Sequence, residues 1–132
     1  MKKYFYPAVF TPEDNNAYSV SFPDLPGCFT SGESLEDAFD MAQDALCLTL
    51  YDMEESGKPI PSMCDVASIP LEDGQFVAVI GCDTLEYRKF FENKAVKKTL
   101  TIPAWLNTAA ERQGVNFSAI LQDALKQHLH VN

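Results

Sequence analysis

Residues 97–103, Lys-Lys-Thr-Leu-Thr-Ile-Pro, alternate in polarity and then stop at a proline. Side chains alternate across a strand, so Leu100 and Ile102 share one face and Lys97, Thr99 and Thr101 the other. Pro103 lacks the N–H that a ladder needs and suits a first helical turn. Trp105, Leu106, Ala109 and Ala110 then recur at helical spacing. Gly114 fits the residue just past a helix C-terminus, and Asn116 is a good N-cap. The helix after it is expected to bury Phe117, Ile120, Leu121, Ala124, Leu125 and Leu129. A strand and two helices of this length have too little core to stand alone, and the strand lacks a partner. A second copy supplies both: two strands pair antiparallel about a two-fold axis, and four helices close beneath them.

The outward lysines and threonines would then form a polar ribbon of a width that fits the DNA major groove. The order Lys97-x-Thr99-x-Thr101-x-Pro103, helix, Gly114, Asn116, helix resembles the ribbon-helix-helix repressors, the group of the methionine and Arc repressors. That resemblance implies base reading by Lys97, Thr99 and Thr101. It also implies a phosphate held by the backbone at Asn116, Phe117 and Ser118, where free N–H groups and the helix dipole favour an anion. Lys94 and Lys98 would contribute through phosphates or the general field. The plain alternative is an edge strand with solvated lysines.

Charge divides the chain at the same place. Residues 1–93 hold five Lys/Arg against seventeen Asp/Glu, a net of −12, and residues 94–132 hold five against two, a net of +3. The domains are therefore read as 1–93 and 94–132. An acidic body should repel nucleic acid and attract a basic protein, although acidic surface also simply keeps proteins soluble. Cys28, Cys47, Cys64 and Cys82 form no C-x-x-C, and no histidine is near them. They are expected to be reduced, packed residues, with no metal and no cofactor. No apolar run is long enough to span a bilayer, and the N-terminus begins with strand-like sequence. The expected location is cytoplasmic, with no membrane partner.

In the body, Tyr4 to Phe10 is apolar on both parities, which predicts a strand covered on both faces. Residues 11–16 are turn formers, and Tyr18, Val20 and Phe22 alternate with serines as a half-buried strand. Residues 23–27, Pro-Asp-Leu-Pro-Gly, break that strand, and Cys28 to Thr30 resume pairing as a short third one. Ser34 and Asp37 resemble a capping box. The helix behind them is expected to bury Leu35, Ala38, Phe39, Ala42, Leu46, Thr49, Leu50 and Met53, and to end at Gly57. Residues 57–75 read as a long connection, Phe76 to Ile80 as a central strand, and Leu85 to Phe91 as a short helix or turn. The fold class is α+β: a ββ(β)αβ body followed by a βαα unit.

Residues 18–38, Tyr-Ser-Val-Ser-Phe-Pro-Asp-Leu-Pro-Gly-Cys-Phe-Thr-Ser-Gly-Glu-Ser-Leu-Glu-Asp-Ala, resemble the HicB antitoxins. The likeness rests on F-P-D-L-P-G-C followed by T-x-G-x-S-x-x-E/D-A. It continues through residues 57–61 and 93–103. The family implies a body like a truncated ribonuclease H fold that binds and neutralises the small RNA-cleaving toxin HicA. It also implies a C-terminal domain that binds the operon's own operator DNA as a homodimer, with room for a tetramer if the bodies pair. Glu36, Asp37, Asp40 and Asp44 on the helix are the candidate toxin contacts. Catalysis is not expected. A nuclease of the ribonuclease H type needs carboxylates converging on two metal ions, and Asp24, Glu33 and Asp83 show no such convergence in sequence. The body has no histidine to activate a nucleophile. The alternative reading is an RNA-binding module on an inactive nuclease fold, against which stands the body's lack of a basic surface.

Overall fold

A computed structural model describes residues 2–132. The chain divides into two compact units, one ending at Lys94 and the other running Ala95–Asn132. The first holds four strands, β1 (Lys3–Pro12), β2 (Tyr18–Ser21), β3 (Phe29–Gly32) and β4 (Phe76–Asp83). They form one antiparallel sheet in the order β3-β2-β1-β4. A long helix, α1 (Leu35–Ser56), packs on one face, and a short one, α2 (Thr84–Phe91), follows β4 directly.

β1 is the central strand, and Tyr6 to Phe10 are all buried, as expected for a run apolar on both parities. A proline inside it is possible because of the register. Val9 pairs with Ser21, so Pro7 would meet Pro23, beyond the end of β2. Its missing N–H therefore interrupts no ladder. β4, expected at the centre, lies instead at an edge, paired only with β1. Its apolar run misleads because only one parity points inward. Ile80 and Cys82 are buried, whereas Val79 on the opposite face is 49% exposed.

The corner after β2 closes on itself. Phe22 N–H donates to the Cys28 carbonyl, Leu25 N–H to that of Phe22, and Cys28 N–H to that of Leu25. These bonds satisfy the turn's backbone while Phe22, Leu25 and Cys28 enter the core. Gly27 takes φ +89°, a left-handed value that suits glycine. Gly32 serves a different purpose. A Cβ there would lie 2.3 Å from the Ala38 nitrogen, so the motif's glycine and alanine are the contact that lets β3 and α1 approach.

Ser34 caps α1: its Oγ accepts from Asp37 N–H at 3.1 Å, and the Asp37 carboxylate accepts from Glu33 N–H at 2.9 Å. Ala38, Ala42, Leu46 and Leu50 of α1 are wholly buried against Tyr6, Ala8 and Phe10. Leu35 and Phe39, expected in this core, are only partly covered, at 41% and 36% exposed, Cys47 takes an inner position, and Thr49 and Met53 are half-buried. Phe39 still stacks on Phe10 at 4.6 Å between ring centroids, so it lies over the core's rim. Gly57 (φ +70°) ends the helix, with Lys58 N–H on the Met53 carbonyl. The connection to β4 is tied down by Tyr6, whose hydroxyl donates to the Pro61 carbonyl, and by Asp24, which accepts from Cys64 N–H at 3.1 Å.

The second unit holds α3 (Ala104–Arg112) and α4 (Phe117–Leu129). Pro103 stands one place before α3, where its carbonyl accepts from Leu106 and Asn107. Gly114 (φ +66°) ends α3 as expected: its N–H reaches Glu111 and that of Val115 reaches Ala110, the paired bonds of a Schellman turn. Asn116 caps α4, its Oδ1 accepting from Ala119 N–H at 3.1 Å. The residues before Pro103 form no ladder within the single chain. In the single chain the apolar face of α4 is left mostly uncovered, with only Leu121 half-buried. Phe117, Ile120, Leu125 and Leu129 are all exposed, as are Trp105 and Leu106, because two short helices offer each other too little surface.

Candidate functional site

Two regions concentrate chemistry, one in each unit. In the first, α1 and α2 enclose a cleft of about 420 Å³. α1 supplies Asp40, Gln43, Asp44 and Cys47; β4 and α2 supply Asp83, Glu86, Tyr87, Phe90 and Phe91. Asp40 and Asp44 are exposed on the α1 side, whereas on the other side Asp83 is half-buried and Glu86 pairs with Lys89 at 2.9 Å, beside the exposed rings of Phe90 and Phe91. Tyr87 and Phe91 have centroids 4.5 Å apart, and Phe90 and Phe91 meet edge-on at 4.9 Å. Phe90 is 75% exposed.

α2 is held in place by its start and by one arginine. The Asp83 carboxylate caps it, accepting from Leu85 N–H at 3.0 Å and Glu86 N–H at 3.2 Å. Thr84, fully buried, donates to Glu54 of α1 at 2.9 Å, and its hydroxyl also accepts from Lys2 N–H. Arg88 reaches back to α1, 3.0 Å from Glu54 and in contact with Glu55, and lies 4.5 Å over the Tyr51 ring. Burial pushes the Glu54 carboxyl up, but hydrogen bonding, with Arg88, Thr84 and Tyr4 among the donors, outweighs it and holds it at about 2. Its partners move accordingly. Hydrogen bonding to Glu55 and then Glu54 raises Arg88, and burial followed by Glu54 pushes the Tyr4 hydroxyl up to about 12. α2 therefore rests on a locked, mostly buried ion pair.

The four acids expected to meet a toxin do not act alike. Asp37 is committed to capping, and Glu36 lies beside it on the first turn. Asp40 and Asp44 line the cleft. Sequence reading missed their companions Asp83, Glu86, Phe90 and Phe91. The signal was available in Asp83, a good N-cap just ahead of an aromatic helix. Among the described residues no three histidines, cysteines or acids group as metal ligands. No described helix is long and apolar enough to cross a membrane.

In the second unit, Lys97, Thr99 and Thr101 are exposed, but so are Leu100 and Ile102 on the alternate positions. Asn116 spends its side chain on Ala119, so the amides of Phe117 and Ser118, also exposed, keep no acceptor among the described residues. That is the arrangement of donors that suits an anion.

Against known proteins, the model of the HicB-like antitoxins of bacterial toxin–antitoxin systems matches residues 6–124. Antitoxin HicB 1 of Photorhabdus laumondii is 36% identical over 75 residues, 54% of this chain and 48% of that protein. Antitoxin HicB of Escherichia coli K12 is 40% identical over 60 residues, 43% of each. The matches thus span about half the length of these relatives. A toxin–antitoxin complex from Streptococcus pneumoniae contains a chain 31% identical at a TM-score of 0.61, covering 96% of this chain and 99% of that one. The Burkholderia pseudomallei antitoxin HicB, 20% identical at 0.53 over 96% and 98%, shares the fold. The chain belongs to the HicB-like antitoxins of bacterial toxin–antitoxin systems.

Proposed function

We propose that this chain is a cytoplasmic antitoxin that binds and neutralises a small, basic, RNA-cleaving toxin of the HicA type, and that it represses its own operon as a dimer on operator DNA. The observation that carries the reading is the division of charge, −12 on residues 1–93 and +3 on residues 94–132, in a chain of this family. A basic partner belongs on the first region and phosphates on the second. The order β3-β2-β1-β4 with one helix across a face supports reading the body as a truncated ribonuclease-H-like scaffold. No catalytic role is assigned to it.

Residues 94–132 act as a ribbon-helix-helix domain. Two copies pair their 97–102 segments, which puts Leu100, Ile102 and the apolar sides of α3 and α4 into a shared core. Lys97, Thr99 and Thr101 then enter the major groove, and the free amides at Phe117 and Ser118, beside the cap at Asn116, take a phosphate. What supports this is the set of exposed apolar residues that the single chain leaves without cover.

Co-expression with the HicA-type toxin of the same operon tests the first half: the full chain restores growth, and continued toxicity refutes neutralisation. A gel shift on the operon's promoter tests the second. Thr99→Ala and Lys97→Ala should each cost about 1–3 kcal/mol of discrimination over random DNA. Identical binding of both variants to promoter and random DNA would remove the strand from the reading role.

A further inference from the structure

β4 leaves a long edge open. It is eight residues long, and Phe76 to Cys82 carries no charge and no proline. Natural edge strands of this length are normally blunted by lysine, proline or a bulge, because a free row of N–H and C=O groups templates another strand. The outward row can be identified from the register. Pro7 stands opposite Val79 and has no N–H to give it. Thr84 N–H donates to the Lys2 carbonyl, which sets the even-numbered β4 residues to bond β1. Val77, Val79 and Gly81 therefore point their backbone groups away from the sheet. Gln43 of α1 confirms that direction: its Nε2 donates to the Gly81 carbonyl at 3.1 Å from outside. No other bond is recorded on this row among the described residues.

The same glutamine lies between Asp40 and Asp44, so the open edge runs into the acidic, aromatic cleft. This decides between occupants. A second copy pairing β4 with β4 about a two-fold axis would bring α1 beside its twin, Asp40 and Asp44 against the same acids, on bodies of −12 each. Like charges across an interface oppose association. A basic strand meets no such barrier. Its guanidinium or ammonium groups would find the exposed carboxylates of Asp40 and Asp44 together with the rings of Tyr87, Phe90 and Phe91, a combination suited to arginine.

We propose that the basic partner docks by adding a strand along Val77–Gly81 of β4 and placing an arginine or lysine in the cleft between α1 and α2. The proposal rests on the toxin-binding reading and gives it a site. The backbone ladder would supply affinity and the cleft specificity.

The test uses the full chain and the HicA-type toxin of its operon. Val79→Pro removes an outward N–H only, leaving the β1 ladder whole. It should weaken the complex at least tenfold without shifting the free chain's melting temperature. Asp44→Asn with Glu86→Gln should weaken it several-fold and flatten its salt dependence. If Val79→Pro misfolds, amide exchange on the unaltered chain decides: Val77 and Val79 should exchange freely alone and become protected in the complex. A complex that forms without protecting those amides, or that tolerates Val79→Pro, overturns the proposal. Protection that rises with concentration in the free chain would assign the edge to a second copy and also overturn it. Failure to form any complex would instead sink the toxin-binding reading, and this one with it.

Discussion

The two units meet the same problem, a short apolar sequence in water, with opposite solutions. The body closes a core: Phe10, Leu46, Leu50 and Val20 are all but fully buried between one sheet and one helix. The C-terminal unit has sound local structure, with a helix entered through a proline, a Schellman turn and a second helix capped by Asn116, yet buries no residue. Good capping and turn chemistry therefore do not make a fold. They contribute about 1 kcal/mol per feature, whereas each large side chain fully buried contributes about 1.5–3 kcal/mol. The body has a core of its own; the single-chain tail has none, which is why we propose a second copy for it.

The sharpest way to break the body is at its closest approach. Gly32→Ala forces a methyl into the Ala38 backbone and should cost on the order of 3 kcal/mol in chemical denaturation, leaving the tail's helices unaffected. Next is the lock beneath α2. Arg88→Ala takes from Glu54, whose side chain is 9% exposed, its neutralising cation while Thr84 and Tyr4 still hydrogen-bond it, and should cost about 2 kcal/mol, with loss of α2 seen in amide exchange.

The same carboxylate gives the body a pH signature. The Glu54 pKa, about 2 in the fold, lies below its ordinary value of 4.5. Its stabilisation is complete above pH 4.5 and disappears as pH falls toward 2, a loss of about 3 kcal/mol that Arg88→Ala should reduce in part, because Thr84 and Tyr4 still hydrogen-bond the carboxylate. An acid titration of both forms checks this. The tail should respond least: Asn116→Ala removes one cap and should cost about 1 kcal/mol of α4 stability, together with affinity for promoter DNA. Equal loss in the body would dissolve the contrast between the units.

What sequence reveals follows the same division. Ser34, Gly57, Gly114 and Asn116 announce their helix ends because capping is a local matter, and Tyr6 to Phe10 announce a two-faced strand by parity. The edge position of β4 was hidden, since Phe76 to Ile80 would read the same at the centre of a sheet. Only the order of strands, set by contacts far apart in sequence, distinguishes the two. Leu35 and Phe39 fit the helical stripe but lie at the edge of the buried face, Phe39 stacked on Phe10 at the rim, a distinction that periodicity cannot register. The cleft was half legible: Asp40 and Asp44 stood out as charge, whereas Phe90 and Phe91 acquire meaning only once Arg88 has fixed α2 against α1.

The proposed pairing of the tail with a second copy is open to direct measurement. Light scattering of the full chain at micromolar concentration, with amide exchange followed at residues 97–102, measures this directly. The predicted result is twice the 14.7 kDa chain mass, with alternate amides of that segment protected by a strand ladder and unprotected after dilution to the monomer. A folded 14.7 kDa monomer at that concentration, with α3 and α4 intact and the segment exchanging freely, would contradict it.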